Sequence, residues 1–477
     1  MDTTTPMSAS SLLFARADEA PERLRFLAPE VVTMGTLAHR VRAVASWLIG
    51  RGVKPGDHVA IWADNRLEWA ITAWAIQATG AAFVTIHAPS SRGQADFIIA
   101  DASAVLTVSD TAHDADAELV LDGPSFQEAL ATEHAELPSV GADDRACLIY
   151  TSGTTGDPKG VVLTHRNLWV NGEDWLEVVA PLLPEEAVEV HWLPMSHIFG
   201  WGALCIGNVY GLQTALCGFY EIADTVAEVD PHFICGVPLL WNNLPPQLLS
   251  DRFALGLSGA APLPTATKER YAVAGRTLLE GYGLTETSPT LTLERPGQTR
   301  RDNVGIPYPS VEIRIAADGE VLAKGDSVFS GYWRREEQPF DDDGWFQTGD
   351  LGRLNDGALE LIGRKKELIV LTGGKKVAPT PIEAMFPLEF GRLVLVGDNR
   401  KNVGAIVFSA AGTDPGAEID RINEMVARYE RIRAFEVVPE LPSVENGLLT
   451  PSLKLKRHVV ADRYRSVIDA LCSGRTS

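Results

Sequence analysis

Apolar and polar residues change their period several times along this chain. From Leu37 to Ile49 the apolar positions recur every three to four residues, the spacing of an amphipathic helix. His58–Trp62 (HVAIW) and Ala82–Ile86 (AFVTI) are short apolar runs that predict buried strands. Leu67–Thr79 between them reads as a helix, and Ala104–Val108 as a further strand. Strands alternating with helices predict parallel sheets covered by helices, an α/β class. Beyond about Asn303 the character changes. VEIRIA, ALELIG and ELIVLT, separated by turns at Asp318-Gly319 and Asp356-Gly357, predict a small antiparallel sheet or barrel. The last hundred residues carry LVLVG, GAIVFS, a helix from about Ala417 to Tyr429 and the strand AFEVV, an α+β set of their own.

A charged run, Arg364–Glu367 (RKKE), separates two apolar strands and marks the expected boundary. The expected division is residues 1–363, a hinge at 364–367, and a small domain over 368–477. A length of 477 residues suits two or three domains. The most apolar stretch, Trp69 to His87, is interrupted by Gln77, Thr79 and Gly80, so it reads as a buried helix running into a strand rather than a membrane span. The first twenty residues lack an apolar core behind a basic start, so no signal peptide is expected and a cytoplasmic location is.

Charge narrows the function classes. The formal net charge is −21, which repels phosphate backbones and excludes sequence-independent nucleic-acid binding. An anionic substrate must therefore find local positive potential from a few Lys and Arg, metal ions or backbone amides. Five cysteines (Cys147, Cys205, Cys217, Cys235, Cys472) are scattered, with no CxxC pair and no HExxH run. Free thiols in a reducing compartment are expected, not a zinc site or a disulfide framework.

The most informative segment is Tyr150–Gly160, YTSGTTGDPKG. An apolar strand, ACLIY, runs into a loop with hydroxyls at Thr151, Ser152, Thr154 and Thr155, glycines at Gly153 and Gly156, and a cation at Lys159. Glycine lets successive N–H groups turn toward one point, which makes a nest for an anion. Short hydroxyl donors and one ammonium complete a cradle for a triphosphate. A Walker A loop needs Gly-Lys-Ser/Thr opening a helix; here Lys159 precedes Gly160 and the strand-like VVLT, so that reading fails.

YTSGTTGDPKGVVLTHRN closely resembles the phosphate-binding signature of the adenylate-forming superfamily: acyl-CoA synthetases, aryl-CoA ligases, luciferases and peptide-synthetase adenylation domains. LPMSHIFGW (193–201), LSGAAPL (257–263), GYGLTET (281–287), TGDLG (348–352), GRKKELIVLTGGKKVAP (363–379) and LTPSLKLKR (449–457) follow in the family's order. The GGKKVAP and TPSLKLKR variants look most like the long-chain fatty acid–CoA ligase branch. The resemblance implies a large N-terminal domain of two parallel-sheet subdomains plus a β-barrel-like subdomain, and a small mobile α+β C-terminal domain. It also implies ATP, Mg²⁺ and coenzyme A, a small-molecule carboxylic acid substrate, no nucleic acid and no transmembrane segment. Peripheral membrane contact and the choice between monomer and homodimer stay open.

The implied chemistry has two halves. A carboxylate oxygen attacks the ATP α-phosphorus and pyrophosphate leaves; a thiolate then attacks the acyl carbon and AMP leaves. No protein nucleophile is needed, so catalysis is positioning and charge neutralisation. The resemblance places Asp350 on the ribose hydroxyls, with Arg364 supporting that region. It places Glu286 on Mg²⁺, Thr285 on the α-phosphate, and adenine between Tyr282, flanked by Gly281 and Gly283, and the Gly259-Ala260-Ala261 backbone. Lys454 takes the position of the catalytic lysine bridging carboxylate and α-phosphate; alternation in an extended chain turns Lys456 away. Lys366 matches the hinge about which the small domain rotates, bringing Gly373-Gly374-Lys375 to the thiol channel. His197 falls where the family places an aromatic residue or histidine beside the substrate carboxylate. Trp201 reads either as the gate of an acyl tunnel or as a core residue, and Val237 as tunnel lining or core.

The sequence departs from the family in three places. Little chain lies between Trp241 and Leu257, the stretch from Glu383 to Val394 is clipped, and SGAAP replaces the commoner double glycine. Three functions compete: a fatty acyl-CoA ligase, an adenylating ligase that loads a carrier protein or another nucleophile, and a nucleotide-binding regulator without catalysis. The presence together of Lys159, Glu286, Asp350 and Lys454 argues against the last.

Overall fold

His58–Trp62 and Ala82–Ile86 are strands in which every residue is buried. Burial on both faces is what a parallel sheet under helices demands. The computed structural model describes residues 8–151, 158–297, 303–336, 338–387, 390–409, 414–443, 446–449 and 455–472. The chain divides into two compact units, one of residues 1–261, 265–313 and 323–346, the other of 262–264, 314–322 and 347–477.

The first unit holds two large sheets. In the six-stranded sheet the order is 119–120, 106–109, 58–62, 82–86, 145–151, 159–164. Its pairs are parallel until the last, where Lys159–Thr164 folds back antiparallel on Arg145–Thr151. The nine-stranded sheet runs 306–307, 290–293, 278–283, 255–258, 233–236, 188–191, 213–216, 24–28, 32–33. Its centre is parallel and both edges are antiparallel. The α/β class and the antiparallel sheet after Asn303 are as expected, the latter as strands 311–315, 320–325, 346–355 and 358–364 in that order.

Helix Leu67–Ala78 is buried at every position but Glu68, which explains its lack of an amphipathic period. Among the described residues no helix is long and apolar enough to cross a membrane. The strand expected at Ala104–Val108 begins instead at Leu106, because Ser103 caps helix Arg92–Ala102 in the left-handed region (φ 53°).

The second unit is α+β. Strands Arg392–Val396, Val403–Phe408 and Ile432–Val438 form its central sheet, with the first pair antiparallel and the second parallel. The period of two sorts the first strand cleanly. Leu393 and Leu395 join Ile419 and Ile422 on one face, while Val394 and Val396 join Val460 and Ile468 on the other. The helix predicted to reach Tyr429 ends at Met425. ELIVLT contributes only Ile369–Val370, paired with Lys376–Val377. Besides 262–264 and 314–322 the second unit takes in everything from Gln347, whereas the small domain is expected over 368–477; Phe346–Asn355 and Ala358–Arg364 are one hairpin, with Asp350 opposite Arg364 and Asn355 opposite Ala358.

One buried cation anchors the nine-stranded sheet. Arg25 is fully buried, and the helix Ile198–Ile206 runs on into a wide π turn, Gly207–Gly211, whose displaced carbonyls need donors. Arg25 donates to Leu204 O (3.0 Å), Leu212 O (3.2 Å), Asn208 Oδ1 (2.9 Å) and Thr214 Oγ1. Thr214 in turn donates to the buried carboxylate of Glu189 (3.2 Å). Burial pulls the guanidinium down to about 10 against the attraction of Glu189. Arg25→Ala should therefore lower unfolding free energy by about 3–5 kcal/mol, since it strands a buried carboxylate and several acceptors; thermal and urea denaturation measure it.

Candidate active site

The hairpin expected to hold phosphate is built on the six-stranded sheet's edge. Arg145–Thr151 leads into it and Lys159–Thr164 leads out, with Thr151 opposite Lys159 and Tyr150 opposite Gly160. Ser152, Gly153, Thr154, Thr155 and Gly156 lie outside the described residues. Lys159 holds its ammonium 5.5 Å from the centre of the Tyr332 ring. A Cβ on Gly160 would press on the Tyr150 ring at 3.1 Å.

Glu286 sits in a single 3₁₀ turn, Thr285–Thr287. Its carboxylate accepts from the Tyr332 hydroxyl at 2.8 Å, and its carbonyl from Phe329 N–H at 2.8 Å. Thr285 is buried, and Thr287 Oγ1 accepts from Leu284 N–H (2.9 Å) while facing Pro289 O (2.8 Å). Oxygen ligands on a turn suit a hard cation, so Glu286 fits Mg²⁺. The structure thus adds Tyr332, a residue that sequence reasoning passed over.

The residues expected to hold adenine come from two neighbouring parallel strands, Leu255–Ser258 and Leu278–Gly283, paired Ser258 to Glu280. Gly259 and Gly281-Tyr282-Gly283 follow side by side at their carboxyl ends, the usual place for a ligand on a parallel sheet. A Cβ on Gly283 would collide with the Pro289 carbonyl. Ala260 occupies the left-handed region (φ 69°), so the alanine standing for the commoner glycine carries backbone strain. Beneath them Lys268 bridges Glu280 (2.7 Å) and Glu294 (3.0 Å), and Glu294 also accepts Glu280 N–H at 2.7 Å. Burial lowers the Lys268 pKa, but its two carboxylate neighbours outweigh that and hold it above its ordinary value. This ion cluster was also missed, because its members are far apart in sequence.

His197 caps the helix Ile198–Ile206, its Nδ1 accepting Phe199 N–H at 3.2 Å. That bond places the proton of the neutral ring on Nε2. His87 stacks on it at 6.3 Å, and burial pulls the His87 pKa down to about 4. Trp201 is fully buried among Trp69 (5.7 Å), Trp74 (5.7 Å) and Phe83 (4.9 Å), so of its two readings the structure places it in the core. Val237 is half-buried at the start of the helix Pro238–Asn243.

In the second unit, Asp350 is buried and pairs across its hairpin with Arg364 (3.0 Å). Lys366 is exposed in the 3₁₀ turn Lys365–Glu367, while Lys365 is tied to Asp318 (2.6 Å) and Glu320 (2.9 Å). Gly373 and Gly374 are exposed in a turn, and Lys375 places its ammonium 5.5 Å from the Tyr429 ring centre. A cavity of about 420 Å³ there is lined by Lys375, Lys401, Arg428, Arg431 and Arg433. Lys454 lies outside the described residues. Three positions on, Arg457 reaches Glu367 (3.2 Å) and Glu383 (3.0 Å).

All five cysteines are free thiols; burial pushes the Cys205 thiol up to about 12. His165 opens the helix that follows the phosphate hairpin, and among the described residues neither ring nitrogen has a partner. Burial pulls its pKa down to about 4. The unfolded chain takes up this proton below about pH 6.5. Between those values the unfolded state holds more protons, so stability falls as pH drops from 6.5 toward 4, by up to about 1.4 kcal/mol per pH unit. His165→Phe should flatten that decline in urea unfolding between pH 6.5 and 5.

Residues 13–333 match the AMP-binding enzyme family, and residues 366–475 match the AMP-binding enzyme C-terminal domain. The chain is 32% identical over 555 aligned positions to the long-chain-fatty-acid–CoA ligase FadD15 of Mycobacterium bovis, covering 92% of each. A feruloyl-CoA synthase of Amycolatopsis is 29% identical, with 87% of this chain and 92% of that one covered. The o-succinylbenzoate CoA synthetase MenE of Bacillus subtilis, solved with its acyl-adenylate intermediate, superposes with a TM-score of 0.85 at 26% identity, covering 94% of this chain and 97% of MenE. MenE has also been solved with ATP and a magnesium ion. The chain belongs to the AMP-binding, adenylate-forming enzyme family near its long-chain fatty acid–CoA ligases, and is an AMP-forming acid–CoA ligase.

Proposed function

We propose that the acid is a long-chain fatty acid, activated as its adenylate and released as the coenzyme A thioester. One observation carries the choice of acid: His197, with its Nε2 proton directed by its own cap, stands at the N-terminus of a helix whose residues, IFGWGALCI, are all apolar or glycine. A helix N-terminus and a neutral imidazole donor favour a carboxylate head, and the apolar helix favours a hydrocarbon tail. Likeness to FadD15 over 92% of both chains supports the same reading.

In the first half-reaction the hydroxyls of Thr151, Ser152, Thr154 and Thr155, the amides of Gly153 and Gly156, and Lys159 hold the phosphates. Thr285 donates to the α-phosphate and Glu286 holds the magnesium ion, which when bound neutralises phosphate charge. Gly259, Ala260 and Ala261 face Tyr282 across adenine, with Gly281 and Gly283 giving that loop its close approach. Asp350 accepts from the ribose hydroxyls, with Arg364 on one of its oxygens orienting it. Lys454 bridges the carboxylate and the α-phosphate as the P–O bond to pyrophosphate breaks. In the second half-reaction the small domain turns about the 364–367 hinge at Lys366. Gly373, Gly374 and Lys375 then line the thiol channel, and the thiolate attacks the acyl carbon as AMP leaves. The five cations of the nearby cavity suit the phosphates of coenzyme A. Val237 shapes the wall behind the acid, and Trp201 backs it from the core.

Pyrophosphate release and acyl-CoA formation should be measured with long-chain, short-chain and aromatic acids. The long-chain acids should give the highest kcat/KM; a preference for aromatic acids would overturn the choice of substrate. Pyrophosphate release without acyl-CoA would point to another acceptor. Lys454→Ala should slow adenylation by roughly 10² to 10³ while sparing thioester formation from supplied acyl-adenylate. Equal loss of both halves would count against the rotating-domain mechanism.

A further inference from the structure

Lys159 and Glu286 carry opposite charges, yet among the described residues each meets Tyr332 and no ion pair between them is seen. Tyr332 lies between them. Its ring receives the Lys159 ammonium at 5.5 Å and its hydroxyl reaches Glu286 Oε1 at 2.8 Å. We propose that Tyr332 is a positioning residue for adenylation, holding Glu286 in a magnesium-binding orientation and keeping Lys159 from pairing with it. The proposal rests on the assignment of Glu286 to magnesium.

The residue is held from both sides. Val161 and Tyr332 form an isolated antiparallel bridge, and Gly160 O accepts Trp333 N–H at 2.8 Å. Tyr332 N–H donates to Gln338 Oε1 at 3.0 Å, and Val162 N–H to Gly331 O at 3.3 Å. On the other side, Phe329 N–H donates to Glu286 O (2.8 Å), and the Phe329 ring meets Tyr332 edge-on at 5.0 Å. The segment 329–333 therefore stitches the phosphate hairpin to the Glu286 turn.

The chemistry follows from what a phenol can and cannot do. A phenol donates to one carboxylate oxygen and leaves the other for a hard cation. An ammonium over a ring face is attracted by the ring quadrupole but not neutralised. A direct Lys159–Glu286 pair would leave both charges satisfied by each other. ATP and magnesium would then have to break that pair before binding. Tyr332 spares them the step.

The test is a magnesium titration of pyrophosphate release, at fixed ATP and acid, for the full-length enzyme and for Tyr332→Phe, Tyr332→Leu and Glu286→Gln. Tyr332→Phe loses a hydrogen bond to a charged group, so the half-saturating magnesium concentration should rise about tenfold. Tyr332→Leu also frees Lys159, so the KM for ATP should rise as well. Thioester formation from supplied acyl-adenylate involves no triphosphate and should change by less than about twofold in Tyr332→Phe. An unchanged magnesium dependence in Tyr332→Phe, beside a shifted one in Glu286→Gln, would overturn the proposal and leave the Glu286 assignment standing. An unchanged dependence in Glu286→Gln would overturn both. Equal loss in the two half-reactions of Tyr332→Phe would mark a merely structural residue.

Discussion

A tetra-anionic nucleotide has to be held by a chain with a formal net charge of −21. Bulk electrostatics oppose the encounter, so the positive potential must be local and must not be cancelled by neighbouring carboxylates. Much of the molecule's cationic charge is spent in pairs, such as Arg353 with Glu360, Lys365 with Asp318 and Glu320, and Lys268 with Glu280 and Glu294. Lys159 and Lys375 are placed otherwise. Each rests against a tyrosine ring, Tyr332 and Tyr429 respectively, which attracts an ammonium without neutralising it. In both units aromatic faces keep selected cations available.

The same economy shapes the buried polar groups. Arg25 satisfies the carbonyls released by the π turn, and through Thr214 it meets the charge of Glu189. Lys268 clamps Glu280, the residue before the Gly281-Tyr282-Gly283 loop, to Glu294 on the strand's partner segment. Neither lysine nor arginine is free to meet a substrate. Their effect is to hold strand ends and a helix turn in place.

The parallel core was legible because its strands are continuous apolar runs. HVAIW and AFVTI are buried at every position, and no period had to be guessed. Local motifs were legible for a similar reason: Asp350 and Arg364 stand opposite each other on one hairpin whose turn is marked by Asp356-Gly357. What escaped was whatever joins distant segments. Tyr332 meets Glu286 across 46 positions, and Lys268 meets Glu294 across 26. No periodicity encodes such pairs. Trp201 shows the opposite difficulty. Its sequence neighbourhood fits either a gate or a core, and only the packing of Trp69, Trp74 and Phe83 around it decides.

Arg457 joins three stretches of the second unit: its own helix start, Glu367 beside the RKKE turn, and Glu383 in the helix Pro379–Glu383. Glu383 also accepts the Leu395 N–H at 2.6 Å, which extends the link into the central sheet. The helix start at Arg457 is thus riveted to the RKKE turn and to the central sheet of the unit. Anyone grafting a relative's terminal segment onto this enzyme would have to transplant the matching acidic partners too, since a junction between 383 and 457 leaves one half of the rivet on each parent.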